Sequence, residues 1–401
     1  MKISRLTVPM LFIGIAFSAT AQDGNIVKLK PDSEYDFTVV KNLEATPVQN
    51  QFRTGTCWSF SALAFLESEL IRTGKGEQNL SEMFVVNHTY KDKAERFVRM
   101  HGHTNFGAGG AFVDAAHVWE KYGMIPESVY NGLNYGSEKH DHSELDGILT
   151  AYVKTIGDGD SKKLTPNWKQ AFDGIVDSYL GTLPETFEYD GATYTPKSYA
   201  ASLGLKMDDY VSITSFTHHD FYDKFVLEIP DNWLHVQSYN VPIDELMTII
   251  DEAIDNGYTL AWGADVSEKG FAFREGLALL PEDDATIQVK GKDNSNFSDA
   301  GAEKVSNAFE RPVPQKAVTQ EMRQVGFDNW ETTDDHGMQI TGIVNDQNGD
   351  KYYIVKNSWG TEHNKLDGYF FASEAYVRLK TMNIYLHKQA VPKDLAKKLS
   401  L

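Results

Sequence analysis

The chain has 401 residues, with 57 acidic against 38 basic side chains and a net charge of −19. That acidic balance excludes nucleic acid and anionic membrane as partners, since both need Lys and Arg to displace counterions. Hydrophobic residues make up 41% and aromatics 12%, which excludes a disordered chain, and a single cysteine excludes an intrachain disulfide, so core size alone must support the fold.

Residues 1–21 read as an export signal: Lys2 and Arg5 supply the positive end, Leu6 to Phe17 a short apolar run, and Ala19-Thr20-Ala21 the small residues before a cut ahead of Gln22. The run is short for a membrane span and contains Pro9. No cysteine follows it, so a lipoprotein anchor is excluded. The expected location is outside the cytoplasm, periplasmic or secreted, in a bacterium.

After a polar leader with strand character at Asp36–Val40, the first helix is expected to start at Cys57. Phe60, Leu63, Ala64, Leu66, Leu70 and Ile71 form its apolar face, and Gly74 stops it. A second helix runs from Ser81, a capping residue followed by Glu82, to about Arg99. A glycine loop at 107–110 leads to a third helix over Phe112–Tyr122. Trp168–Tyr179 is helical, and Asp190-Gly191 suits a type I′ hairpin turn. Pro242–Asn256 is a helix with Ile243, Leu246, Met247, Ile250 and Ile254 on one face. Tyr258–Trp262 reads as a strand, 283–318 as polar loop, and Gly337–Asn345 and Tyr352–Lys356 as strands.

The chemistry gathers around the lone thiol. Cys57 sits at a helix start, where partial positive charge and free N–H groups favour thiolate. Gln51, six residues earlier, is a side-chain donor that can face an oxyanion formed at the sulfur. Far downstream come Asp335-His336-Gly337 and, after a strand, Lys356-Asn357-Ser358-Trp359-Gly360. A Cys, a distant His and a later Asn are the parts of a thiol hydrolase. His336 is the base candidate and Asn357 the group that orients its ring. Trp359 covers that pair. His363 and Gln49 are the weaker alternatives for base and donor. His101/His103, His140/His142 and His218-His219 have no Cys or acidic partners at known ligand spacing, so no metal and no cofactor are expected.

Gln51…Cys57-Trp58-Ser59-Phe60, Asn79-Leu80-Ser81-Glu82, Gly109-Gly110, His336 and Asn357-Ser358-Trp359-Gly360 resemble the papain superfamily. More narrowly, the chain resembles the bleomycin hydrolase/aminopeptidase C family. The long Cys57-to-His336 interval, the block from Asp208-Asp209-Tyr210 to Gly270-Phe271, and an extension ending in Lys397-Lys398-Leu399-Ser400-Leu401 point to that branch. The resemblance implies an α+β, papain-like fold. Residues 22–130 would form a helical half with the nucleophile, 131–240 a large, mainly helical insertion, 241–389 an antiparallel β half, and 390–401 a tail in the cleft. It implies that Gly109 and Gly110 let substrate backbone approach, and that the Leu401 carboxylate meets the substrate's free amine. It also implies peptide substrates with a free N-terminus and a ring-shaped homohexamer. The leading function is a thiol aminopeptidase; a secreted papain-type endopeptidase and a catalytically silent scaffold are the alternatives.

Overall fold

The computed structural model describes residues 26–31, 33–159, 162–290 and 303–401. The export segment 1–21 lies outside them. Ten helices are described: α1 Cys57–Arg72, α2 Glu82–Arg99, α3 Phe112–Lys121, α4 Ser143–Gly157, α5 Asn167–Leu180, α6 Pro196–Leu203, α7 Ile243–Asp255, α8 Gln320–Asp328, α9 Glu374–Lys380 and α10 Lys393–Lys398. The main strands are β1 Phe37–Asn42, β2 Tyr210–Thr214, β3 Lys224–Val226, β4 Gln237–Asn240, β5 Leu260–Ala264, β6 His336–Asn345, β7 Lys351–Lys356, β8 Tyr369–Ser373 and β9 Thr381–His387.

α1 to α6 enclose one apolar core, with Phe65, Leu66, Phe84, Trp119 and Phe172 buried in it. The strands and α7 enclose a second, holding Leu246, Ile250, Trp262, Met338, Ile340 and Tyr376. In the sheet the order is β3-β4-β2-β9-β5-β6-β7-β8, extended beyond β8 by the short pair 277–278 and 271–272. β6 is its axis. Its first half pairs with β5, His336 opposite Ala264, and its second half pairs with β1, Asn345 opposite Thr38. The switch coincides with an irregularity between Ile340 and Gly342 in the β6–β7 ladder, where an extra residue bends a strand.

α1 lies between the two cores, and so is buried nearly all round, as a helix with apolar residues on more than one face must be. Its buried carboxylates are partnered. Glu67 accepts from Thr46 Oγ1 at 2.6 Å and the Leu80 N–H at 2.8 Å, and Glu69 takes a two-pronged contact from Arg72 at 2.7 Å on each oxygen. Gln339 on β6 donates to Ser68 Oγ at 2.8 Å, a buried polar bond from sheet to helix.

Local signals hold well. Ser81 caps α2 by accepting from Phe84 N at 3.0 Å. Asp190 and Gly191 both have positive φ, 49° and 77°, as a type I′ turn requires. The insertion needs correction: 131–204 carries three helices, α4 to α6, joined by loops and the small hairpin, but 210–240 forms β2, β3 and β4, which extend the main sheet. Tyr210-Val211-Ser212-Ile213-Thr214 has strand chemistry, and Ile213 and Thr214 pair in parallel with Tyr239 and Asn240. Among the described residues no helix is long and apolar enough to cross a membrane.

Candidate active site

Cys57 opens α1, with no acidic residue in the first turn to offset the helix's positive end. The residue is half-buried, and the backbone N–H groups of Gly337 and Trp58 face its sulfur and favour thiolate. Burial dominates, however, and with the nearby carboxyls of Asp334 and Asp231 pushes the thiol up to about 12.

His336 begins β6, one residue before the glycine that touches the sulfur. Its Nε2 lies 2.7 Å from Asn357 Oδ1. Asn357 oxygen only accepts, so Nε2 carries the proton and Nδ1 keeps a lone pair. Ser358 N also donates to that oxygen at 2.8 Å, fixing the amide. Trp359 covers the pair, its ring centroid 4.8 Å from the imidazole. The ring is 4% exposed, and burial lowers its pKa to about 4 against the opposing help of Asn357. At neutral pH the imidazole is therefore an uncharged base.

Gln51 is held on the same side by the β-half motif. Its backbone N–H donates to Ser358 O at 2.9 Å, and its Oε1 accepts from Ser358 Oγ at 2.7 Å. Nε2 spends one proton on Thr54 O at 2.8 Å and keeps a second. Gln49 takes a different place: its carbonyl accepts from Gly360 N at 3.1 Å.

Close approach of strand and helix makes this meeting possible. A Cβ on Gly337 would lie 2.6 Å from Ser61 Oγ, 3.0 Å from Phe112 Cε1 and 3.4 Å from Trp58 Cα. Gly337→Ala should therefore push β6 off α1, cost about 1–3 kcal/mol of stability and lower kcat by about 100-fold, as an ångström of misplacement can. Urea unfolding and steady-state kinetics measure the two effects. Turnover within threefold of the parent would show that the approach is not critical.

The glycine pair at 109–110 borders the site for two different reasons. A Cβ on Gly110 would meet Asp114 Oδ2 at 2.6 Å and the Trp58 ring at 2.8 Å, while one on Gly109 would meet the Asp231 carboxylate at 2.0 Å. Trp58 Nε1 donates to Ala108 O at 3.0 Å, and Lys93 Nζ to Gly107 O and Gly109 O at 2.8 and 2.5 Å. Lys93, Asp114, Asp231 and Asp334 escaped the sequence reading. Only the folded chain brings Asp231 and Asp334 near Cys57 and Lys93 and Asp114 to the glycine segment.

The tail does not follow the expected course. Residues 393–398 form α10; Leu395 and Leu399 are buried in the β-half core and Leu401 packs partly on it. Lys398 pairs with Glu245 of α7 at 2.7 Å and reaches Tyr222. Among the described residues, no hydrogen bond or ion pair joins 390–401 to Cys57, His336, Gln51 or the glycine pair. The cause is the i, i+4 spacing of Leu395 and Leu399, which makes an apolar helix face buried in the β-half core.

His363 lies in a separate loop, its ring 4.0 Å from Glu362. His218 and His219 do gain an acidic neighbour, Glu228, with ligand atoms within 4.8 Å of one another on an exposed surface. His140 and His142 are buried with lowered pKa, which suits core residues.

Residues 32–173 match the model of the papain family cysteine proteases, and 317–401 that of the Peptidase C1-like family. Aminopeptidase C of Lactococcus lactis subsp. cremoris is 22% identical, over 88% of this chain and 82% of that protein. Aminopeptidase C of Streptococcus thermophilus is 24% identical, over 88% and 83%. Aminopeptidase G of Lactobacillus delbrueckii subsp. lactis is 23% identical over the same shares. Among solved structures, PepW from Lactobacillus rhamnosis superposes with a TM-score of 0.67 at 21% identity, over 93% of this chain and 85% of that one, a likeness of fold.

Proposed function

This chain belongs to the papain-like cysteine peptidases of the aminopeptidase C and bleomycin hydrolase type, and from that premise we infer that it is a cysteine aminopeptidase in which Cys57 is the nucleophile. The observation that carries the assignment is the 2.7 Å bond between His336 Nε2 and Asn357 Oδ1, on a strand whose next N–H reaches the Cys57 sulfur.

In the proposed reaction His336 Nδ1 takes the thiol proton as the sulfur attacks the carbonyl carbon of the substrate's first peptide bond. The resulting oxyanion lies at the start of α1, where the free N–H groups and Gln51 Nε2 stabilise it. The imidazolium then protonates the departing amine, which leaves an acyl-enzyme. Water, deprotonated by His336, releases the acid and restores the thiol. Asn357 holds the ring for both transfers, and Trp359 excludes water from their bond.

The substrates are peptides; the requirement for a free N-terminus is part of the proposal. The test is a set of aminoacyl fluorogenic substrates beside their N-acetylated forms. Preference for the free amine by a factor of about 100 or more is the expected result. Equal cleavage of both forms would make the enzyme an endopeptidase, and no cleavage of either, with Cys57 unreactive to alkylation, a scaffold.

Export and a homohexameric ring belong to the same proposal. The mature protein should begin near Gln22, because Ala19-Thr20-Ala21 fits a cleavage site. Mass spectrometry of protein from its native host checks this, and an intact Met1 start would refute it.

A further inference from the structure

The cleft has a built end on its helical side. Between β3 and β4 the loop 227–236 leaves the β half and crosses to the helical half. Its own polar bonds stiffen it: Asn232 Nδ2 donates to Leu227 O at 3.0 Å and Val236 O at 2.9 Å, and Val236 N donates back to Asn232 Oδ1 at 3.0 Å. Its anchor is Trp233, buried at 4% exposure, whose Nε1 donates to Asp114 Oδ2 at 2.8 Å. Asp114 accepts the Ala111 N–H at the start of α3 with the same oxygen, at 3.0 Å. Loop and glycine segment thus share one carboxylate.

That anchoring sets Asp231 across the glycine segment. Its Oδ2 is 2.0 Å from where a Cβ on Gly109 would be, so a side chain there would displace the carboxylate. Asn105 Nδ2 donates to its other oxygen at 3.3 Å. The carboxylate is close enough to Cys57 to raise the thiol's pKa, and close enough to Asp334 to raise that acid's. Lys93 is the cation that opposes it, but its donors are engaged by the Gly107 and Gly109 carbonyls, and it also faces Asp114 and Asp146. Two of the three Lys93 protons are thus committed elsewhere, and burial disfavours charge on Asp231, so an ammonium from outside the chain would supply the cation that keeps this carboxylate ionised.

We propose that Asp231 is the receptor for the substrate's α-ammonium, and that loop 227–236 is the stop that confines cleavage to the N-terminal end. The proposal rests on Cys57 as nucleophile and on the glycine pair as the strip along which the substrate's N-terminal side lies. It gives the loop the task that the resemblance gives to the Leu401 carboxylate, which here ends a helix packed on α7. The carboxylate recognises charge, so an acetylated terminus leaves it buried against a neutral group with no donor to replace the ammonium.

The test compares free-amine and N-acetylated aminoacyl substrates for the parent enzyme, Asp231→Asn, Asp231→Ser and a chain ending at Leu395. In the two Asp231 variants kcat/KM for the free amine should fall about 30-fold, mostly through KM, while the acetylated substrate changes less than about threefold. A merely structural role would lower both alike. The shortened chain should keep the parent's preference. Stoichiometric alkylation of Cys57 shows that each variant is folded at the site, and the serine variant stands in if the asparagine one does not fold. A free-amine preference kept within threefold in both variants overturns the receptor while leaving the aminopeptidase intact. A preference lost instead on shortening the tail also overturns it. A parent enzyme indifferent to acetylation overturns the aminopeptidase reading, and the receptor with it.

Discussion

Cys57→Ser abolishes turnover, with kcat falling by a factor on the order of 10⁶, the scale seen when a nucleophile is removed from a coupled catalytic set. Oxygen replaces sulfur at nearly the same size, and the side chain is half-buried, so the fold should persist with a thermal midpoint within about 2 °C of the parent. What is lost is the anion. Even raised by burial, a thiol gives up its proton to a neighbouring imidazole far more readily than a hydroxyl at the same place, which meets the same burial and the same facing carboxyls of Asp334 and Asp231 from a much weaker starting acidity. The chain's single cysteine makes the result clean. Labelling by a thiol reagent should fall from one equivalent to none in step with activity, with no background from other sites. Hydrolysis retained by a protein that takes up no label would remove Cys57 from the mechanism.

What the sequence discloses about this site depends on how local the signal is. Cys57 at the head of an amphipathic run, Ser81 before Glu82, and Asp190-Gly191 between short strands each express their structure within a few residues, and all three form as read. The Gln51–Cys57 and Asn357–Trp359 segments were legible because their residue types are informative in order, although the bonds that zip them together, Ser358 Oγ to Gln51 Oε1 among them, cross 307 positions. Pairing of β2 with β4 was not legible. A parallel register such as Thr214 opposite Asn240 leaves no mark in either segment alone.

Asp231 is the extreme case. Its neighbours in sequence form an ordinary polar loop, and its meaning comes from Trp233 reaching Asp114, 119 residues away, and from a glycine whose missing side chain it occupies. The tail shows the opposite error. Leu395 and Leu399 carried a helical spacing that could have been read, but the family likeness prescribed a tail in the cleft, and the local pattern prevailed.

His336→Ala should cost nearly as much as loss of the thiol, and its pH behaviour separates a base from a packing residue. In the parent, thiolate forms by moving a proton from Cys57 to His336 Nδ1. No proton leaves the protein, so the fraction of ion pair does not depend on pH above the titration of the imidazole beside a neutral thiol, about 4, and the ion pair carries the reactivity for as long as the attraction between thiolate and imidazolium keeps the imidazolium protonated. Alkylation by a neutral reagent should therefore be flat from about pH 5 to 9 and fall only as the pH approaches 4, where solvent protonates His336 while the thiol keeps its proton. In His336→Ala the thiol can ionise only by releasing its proton to water. Its pKa lies far above neutrality, so the rate should start low and rise about tenfold per pH unit through the same range. His363→Ala should keep both the plateau and the turnover, since its ring sits in a separate loop beside Glu362. A plateau that survives removal of His336 would mean another group takes the proton, and the 2.7 Å bond to Asn357 would then be a buried polar contact that holds β6 in place.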